Sequence, residues 1–313
     1  MFGKARLFDR NGDFMTTLAK LHPLIETTLP PSVTFDSGEG GLPRLRVDTP
    51  TATAEIYLQG AHVTCWQPTG EEPVLWMSRS SNFAEATPIR GGVPICFPWF
   101  GVNPEGPQHG WARITDWNLI SATDDGTDVR LVFRLTDSPA TRASAWPHRF
   151  EARYEVVVGS QLTLSLSLSV TNLTDDEVTF EEALHTYLAV SDVRETSITG
   201  LRGLLFSDLT ETGFQPDAPL ELTGPMTRNL VGASGDTVMT DATRQLRITR
   251  SSAANTIVWN PWDAQAATMP DFGDDEWTDM ICVETANVGA SWVRLPAGET
   301  HTLVTTYEVG PLS

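Results

Sequence analysis

Basic side chains are scarce in this chain: 21 lysines and arginines stand against 40 aspartates and glutamates, a formal net charge of −19 over 313 residues. Such an excess of negative charge repels a nucleic-acid backbone or an anionic membrane surface, so neither is expected as a general partner. An anionic small ligand would need a few arginines to create a local positive well. Cysteine is scarcer still. Cys65, Cys96 and Cys282 are odd in number and widely spaced, which gives neither a disulfide framework nor a paired set of metal ligands. The six histidines, at 22, 62, 109, 148, 185 and 301, form no close ligand pair along the chain. No stretch approaches about 18 uncharged apolar residues, and the segment from Met1 to Lys20 lacks the apolar run of a secretory signal. The expectation is a reducing, cytoplasmic compartment. Internal repeats, low-complexity linkers and convincing long helices are also missing.

What is present is a period of two. Leu162, Leu164, Leu166, Leu168 and Val170 alternate with Thr163, Ser165, Ser167 and Ser169, which buries one face of a strand and wets the other. Val129, Leu131, Phe133 and Leu135 repeat the pattern. Further strand-like runs lie at 54–58, 61–66, 74–77, 150–158, 178–184, 246–249, 256–259, 280–284 and 302–309. Turn-forming clusters such as Pro68-Thr69-Gly70 and Asp124-Asp125-Gly126 separate them. Many short strands at this spacing predict an all-β sandwich or barrel rather than alternating β and α units. Short helical turns are expected around 138–145 and 263–269. Residues 1–30 read as a polar lead-in ending at Pro30-Pro31, with Met15 a second candidate initiator, and residues 31–313 as one domain.

Four segments combine reactive side chains with unusual backbone. In Pro88-Ile89-Arg90-Gly91-Gly92-Val93-Pro94 the glycines and prolines favour a rigid loop, and arginine presents a planar fork suited to phosphate. An arginine at a surface turn would fit equally. Gln108-His109-Gly110-Trp111-Ala112-Arg113 gathers an amide, an imidazole and a guanidinium; if the run is extended, His109, Trp111 and Arg113 share one face. A strand entry with incidental polar residues is the plainer alternative. His185, in Leu184-His185-Thr186-Tyr187, sits among apolar neighbours, where a satisfied core histidine is the usual outcome. Glu284, in Cys282-Val283-Glu284-Thr285-Ala286-Asn287, follows an apolar strand, where a carboxylate is costly to bury without a partner or a purpose; an edge-exposed glutamate is the alternative.

Taken together, PIRGG, PICFPWFG, QHGWAR, LHTYL, VWNPW and CVETANV occur in an order that resembles the D-hexose-6-phosphate mutarotases, the glucose-6-phosphate 1-epimerases of the aldose 1-epimerase superfamily. The resemblance spans roughly Ala54 to Val309 and includes Trp146-Pro147-His148-Arg149-Phe150. It implies a large antiparallel β-sandwich of the galactose-mutarotase type, interconversion of the α and β anomers of an aldohexose 6-phosphate, and no metal or organic cofactor. It implies His185 as the general acid on the ring oxygen and Glu284 as the general base on the anomeric hydroxyl. Arg90 and Arg113 match phosphate-binding positions, and Gln108 and His109 match substrate contacts. Anomer exchange breaks the bond between C1 and the ring oxygen, rotates the freed aldehyde and closes the ring again. One acid and one base on opposite sides of the hemiacetal suffice, each contributing about a hundred- to ten-thousand-fold.

One departure stands out. The resembling proteins carry an acidic residue just before an arginine in a T-x-E-x-D-R strand, and the equivalent here is Leu222 to Arg228, with Thr227 at the acidic position and Pro225 two before it. Two other readings stay open. One is an aldose 1-epimerase for unphosphorylated sugars, which would not need paired arginines. The other is a sugar-phosphate-binding protein without turnover, which would not need His185 and Glu284 together. A glycosidase lacks a convincing pair of acids in the matched segments. The expected partner is a small sugar phosphate, and the expected state is a monomer.

Overall fold

The computed structural model describes residues 22–208, 210–232 and 235–312. Most of the 1–30 lead-in lies outside the described residues. Its end does not: Ile25 is buried, and the Glu26 N–H donates to the Leu119 carbonyl at 2.9 Å.

Two large antiparallel sheets make up the body of the molecule. One has nine strands, in the spatial order 220–221, 197–199, 237–240, 245–251, 300–310, 163–172, 150–159, 128–136, 118–124. The alternation read from Leu164 to Val170 explains its long central strands. Tyr154, Val156 and Val158 lie opposite Leu168, Leu166 and Leu164, and all six are buried. The serines and threonines between them point the other way, and Ser169 and Thr302 share a hydroxyl hydrogen bond at 2.9 Å. Strand Thr163–Asn172 starts one residue later than the alternation suggests, because Leu162 has a φ of 54° in the preceding turn.

The second sheet carries the chemistry. Its order is 212–214, 205–207, 226–231, 255–260, 280–287, 182–184, 95–96, with 187–189 also pairing against 280–287. Strand Met280–Asn287 is buried on both faces along its whole length. Ile281 and Val283 pack into the main core, which runs from Ile25 to Val309. Met280, Cys282 and Ala286 face away from it, toward smaller clusters with Trp76, Tyr187 and Phe272, and with Cys96, Ala183 and Ile257. By the period of two, Glu284 belongs to this second face. A smaller four-stranded sheet, 33–37, 43–48, 52–57 and 62–68, completes the described body together with the pair 178–180 and 293–295. Helix among the described residues is confined to short turns: Thr141–Ala143 falls inside one predicted stretch, and Trp262–Ala266 begins one residue before the other. The 74–77 run forms only isolated bridges through Leu75 and Met77. No described helix is long and apolar enough to cross a membrane.

Candidate active site

His185 and Glu284 meet because two strands meet. His185 occupies the break between strands Glu182–Leu184 and Tyr187–Ala189, both of which pair with Met280–Asn287. Its neighbours fix which way it faces. Leu184 is in the main core, and the Thr186 hydroxyl bonds the buried Tyr307 hydroxyl at 2.6 Å across the sandwich. His185 and Tyr187 therefore project to the other face. There the His185 Nε2 lies 3.4 Å from Glu284 Oε1, and the imidazole stacks on the Tyr187 ring at 4.9 Å. Both groups sit on one wall, within reach of each other, because their strands are neighbours in one sheet.

Both are deeply buried, His185 at 7% and Glu284 at 1% exposure. Burial raises the Glu284 carboxyl well above its ordinary 4.5. Burial, followed by His109 and the charges of Arg113 and Arg90, lowers His185 well below 6.5. Both shifts favour the uncharged forms, the carboxylic acid at Glu284 and the neutral imidazole at His185. Glu284 Oε2 and His185 Nδ1 have no hydrogen-bond partner among the described residues.

The Gln108–Arg113 segment is not extended, which corrects the shared-face expectation. His109 and Gly110 take φ values of 64° and 76°, and Ala112–Ile114 is a tight helical turn. Gly110 is required there: a Cβ would lie 2.0 Å from the Phe97 carbonyl oxygen. The reversal turns the His109 ring edge-on to His185 at 5.4 Å, with Phe100 packed against both. His109 Nδ1 accepts from the Gly101 N–H at 3.2 Å, so the neutral ring carries its proton on Nε2. Burial and the two arginines lower His109 to about 3, which keeps it neutral. The Gln108 side-chain amide lies 3.3 Å from His109 Nε2.

The two arginines differ sharply. Arg90 is held by Gly91 and Gly92, whose φ values of 117° and 60° bring the loop against the Trp76 and Val63 carbonyls. Its fork is occupied: Nε and Nη2 bond Asp271 at 3.1 and 3.2 Å, and Nη1 bonds the Tyr187 hydroxyl at 2.9 Å. Burial works against its charge, but Tyr187 and Asp271 outweigh it and hold the pKa above the ordinary 12.5. Arg113 is 8% exposed and has no carboxylate partner among the described residues. Its Nη2 donates to the Gln108 carbonyl at 2.7 Å, and its buried Nε has no partner among the described residues. Burial lowers its pKa.

The fold thus brings all six predicted residues into one contact network. It adds Tyr187, Asp271, Trp259 and Cys282, which sequence reasoning did not single out as site residues. Asp271 sits on a loop clamped by Glu276, which accepts from Ser78, Arg79 and Gly273 at 2.7 to 2.8 Å. An acid-rich turn, Asp271 to Glu276, was the available signal. Cys282 stands two residues before Glu284, so the period of two places it on the same face. Thr227 lies opposite Trp259, itself opposite Cys282, so it shares that face at the exposed end of the row. Arg228 turns to the other side, onto the Phe206 ring and Asp208.

A buried acid–base pair on a galactose-mutarotase-type sheet defines a class: the chain belongs to the aldose 1-epimerase family, whose characteristic sequence it matches over residues 43–308. A protein of Salmonella typhimurium provisionally named glucose-6-phosphate 1-epimerase is 34% identical over 245 residues, 76% of this chain and 81% of the relative. A protein of Cenchrus ciliaris with the same provisional name is 34% identical over 250 residues, 75% of each chain. The crystal structure of YeaD from Salmonella typhimurium, provisionally described as a mutarotase, superposes with a TM-score of 0.84 at 32% identity, covering 91% of this chain and 96% of that one.

Proposed function

We propose that this site interconverts the α and β anomers of an aldohexose 6-phosphate, glucose 6-phosphate first among them. Arg113 carries the phosphate part of the reading. A buried guanidinium without a carboxylate is costly unless an anion completes it, and Arg113 belongs to the same network as the acid–base pair. The carboxyl proton of Glu284 first passes to His185, 3.4 Å away, and the carboxylate so formed takes the proton from the anomeric hydroxyl. His185 delivers a proton to the ring oxygen as the C1–O5 bond breaks. Rotation about C1–C2 presents the other face of the aldehyde, and the reverse transfers close the ring. Both oxygens are bonded to the same carbon, so a pair of groups on one wall can serve both. The pair starts and ends with one proton, and the sugar gains and loses none. His109 Nε2–H and the Gln108 amide offer hydrogen bonds to sugar hydroxyls.

Arg90 supports a different role from that of Arg113. Asp271 already neutralises it, and two of its five N–H groups remain. It orients Tyr187 under His185 and adds hydrogen bonds, not net charge, to a phosphate. This engagement is also what favours the second reading, a mutarotase of unphosphorylated aldoses. The relatives' provisional names favour the first.

The two readings part on Arg113→Ala. Losing a hydrogen bond to a charged group costs about 1.5–3 kcal/mol, so kcat/KM for glucose 6-phosphate is expected to fall roughly ten- to hundredfold while free glucose changes little. Arg90→Ala is expected to lower both sugars, glucose 6-phosphate somewhat more because it also loses hydrogen bonds to the phosphate. Specificity constants with a melting curve for each variant decide it. Equal losses on both sugars for Arg113→Ala would remove the phosphate assignment.

A further inference from the structure

The chemistry just described leaves Cys282 unused, although its thiol faces the two proton-transfer groups. A ligand atom from each of His185, Cys282 and Glu284 lies within 4.8 Å of the other two. Cys282 is fully buried, and the carboxylate beside it is 1% exposed with Oε2 unpartnered among the described residues. The sequence spacing showed no metal set because the donors come from two strands that only the sheet brings together.

We propose that His185, Cys282 and Glu284 form a capture site for a thiophilic divalent cation of the Zn2+ class, and that its occupation reversibly switches anomer exchange off. Three donors with one open position is the geometry in which zinc keeps an exchangeable ligand. A tetrahedral ion with bonds of about 2.0–2.3 Å needs donors roughly 3.5 Å apart, so rotamer adjustments closing the present spread by about 1 Å complete the set. The donor types select the ion. Thiolate and imidazole suit Zn2+ and Co2+, whereas Mg2+ and Ca2+ need oxygen cages. Charge also balances: one thiolate and one carboxylate match the two positive charges. Arg90 does not repel the ion because Asp271, 3.0 Å away, already neutralises it; Arg113 remains as an opposing charge, which the two anionic ligands screen. Occupation consumes both groups that move protons, so capture and turnover exclude each other.

The switch rests on the anomer-exchange reading, but the site itself does not, and the test separates them. Co2+ is titrated into the full chain and followed by its thiolate-to-metal absorption and tetrahedral visible bands. One equivalent is expected to produce both bands in wild type and in Cys65→Ser. Cys282→Ser and Cys282→Ala, each checked by a melting curve, are expected to lose the thiolate band and to bind roughly tenfold or more weakly. In parallel, Zn2+ is expected to suppress wild-type anomer exchange at least about tenfold, with recovery on adding a chelator, and to inhibit each Cys282 variant, relative to its own metal-free rate, far less; Mg2+ is expected to do nothing. No thiolate band at one equivalent, or a band that survives in folded Cys282→Ala, would overturn the site. Bands that appear as expected while Zn2+ leaves wild-type exchange untouched would overturn the switch. A protein that gives the bands but turns over no sugar would keep the site and refute the proposed function.

Discussion

At the scale of single residues, the proposed active centre is a pair whose burial favours the uncharged forms. Burial pushes Glu284 up from 4.5 and His185 down from 6.5, so it opposes both the protonation of His185 in acid and the ionisation of Glu284 in alkali. The acid limb of kcat/KM, corrected for the substrate phosphate's own ionisation near about pH 6, is therefore expected well below 6.5. A midpoint at or above 6.5 would mean that His185 is not the group limiting activity in acid. His185→Asn and Glu284→Gln are each expected to lower exchange by about 10²–10⁴ with melting temperatures near wild type; near-normal exchange in either removes that residue from the mechanism.

At the scale of elements, the loops holding these residues approach their neighbours so closely that some positions admit only glycine. Gly92 is the clearest case. Its φ is 60°, and a Cβ there would lie 2.2 Å from the Val63 carbonyl oxygen. Gly92→Ala is expected to destabilise the protein by about 2 kcal/mol or more, read as a shift in urea midpoint with unchanged slope; a stability equal to wild type would show that the loop does not need its close approach. This is also where sequence reasoning divides. Strand Thr163–Asn172 was legible because one wet and one dry face give an alternating pattern. Strand Met280–Asn287 was legible only in part, since burial on both faces erases the alternation beyond Glu284. The glycines of PIRGG announced a rigid loop, which the structure has. The left-handed His109 did not announce itself, because a positive φ at histidine leaves no mark on a pattern of apolar residues. Partners across strands, Asp271 on Arg90 above all, depend on topology and could not be read from spacing.

For the whole molecule, the site sits on the outer face of one sheet while the other sheet supports it from behind. Polar links among the described residues tie the two sheets together. Thr186 bonds Tyr307, and the fully buried Glu182 bonds both Asn287, at 2.9 Å, and His301, at 2.8 Å. Burial opposes a charged His301, but the Glu182 hydrogen bond and charge outweigh it and raise its pKa above 6.5. A raised folded-state pKa means that stability from this link is fully present below the unfolded value and is lost as pH rises through the folded value. Wild type is therefore expected to lose stability relative to His301→Gln as pH climbs from about 6.5 through the titration of His301. Parallel melting temperatures for the two proteins across that range would contradict a charged link between the sheets.

Anomer-exchange NMR on the unmodified protein, comparing glucose 6-phosphate, galactose 6-phosphate and free glucose with and without the protein, decides whether the chain is a sugar-phosphate mutarotase. Exchange of at least one hexose 6-phosphate is expected to rise far above its spontaneous rate, and that of free glucose to rise much less. Spontaneous rates for all three sugars would contradict a mutarotase, and faster catalysis of free glucose would contradict a phosphate read by Arg113.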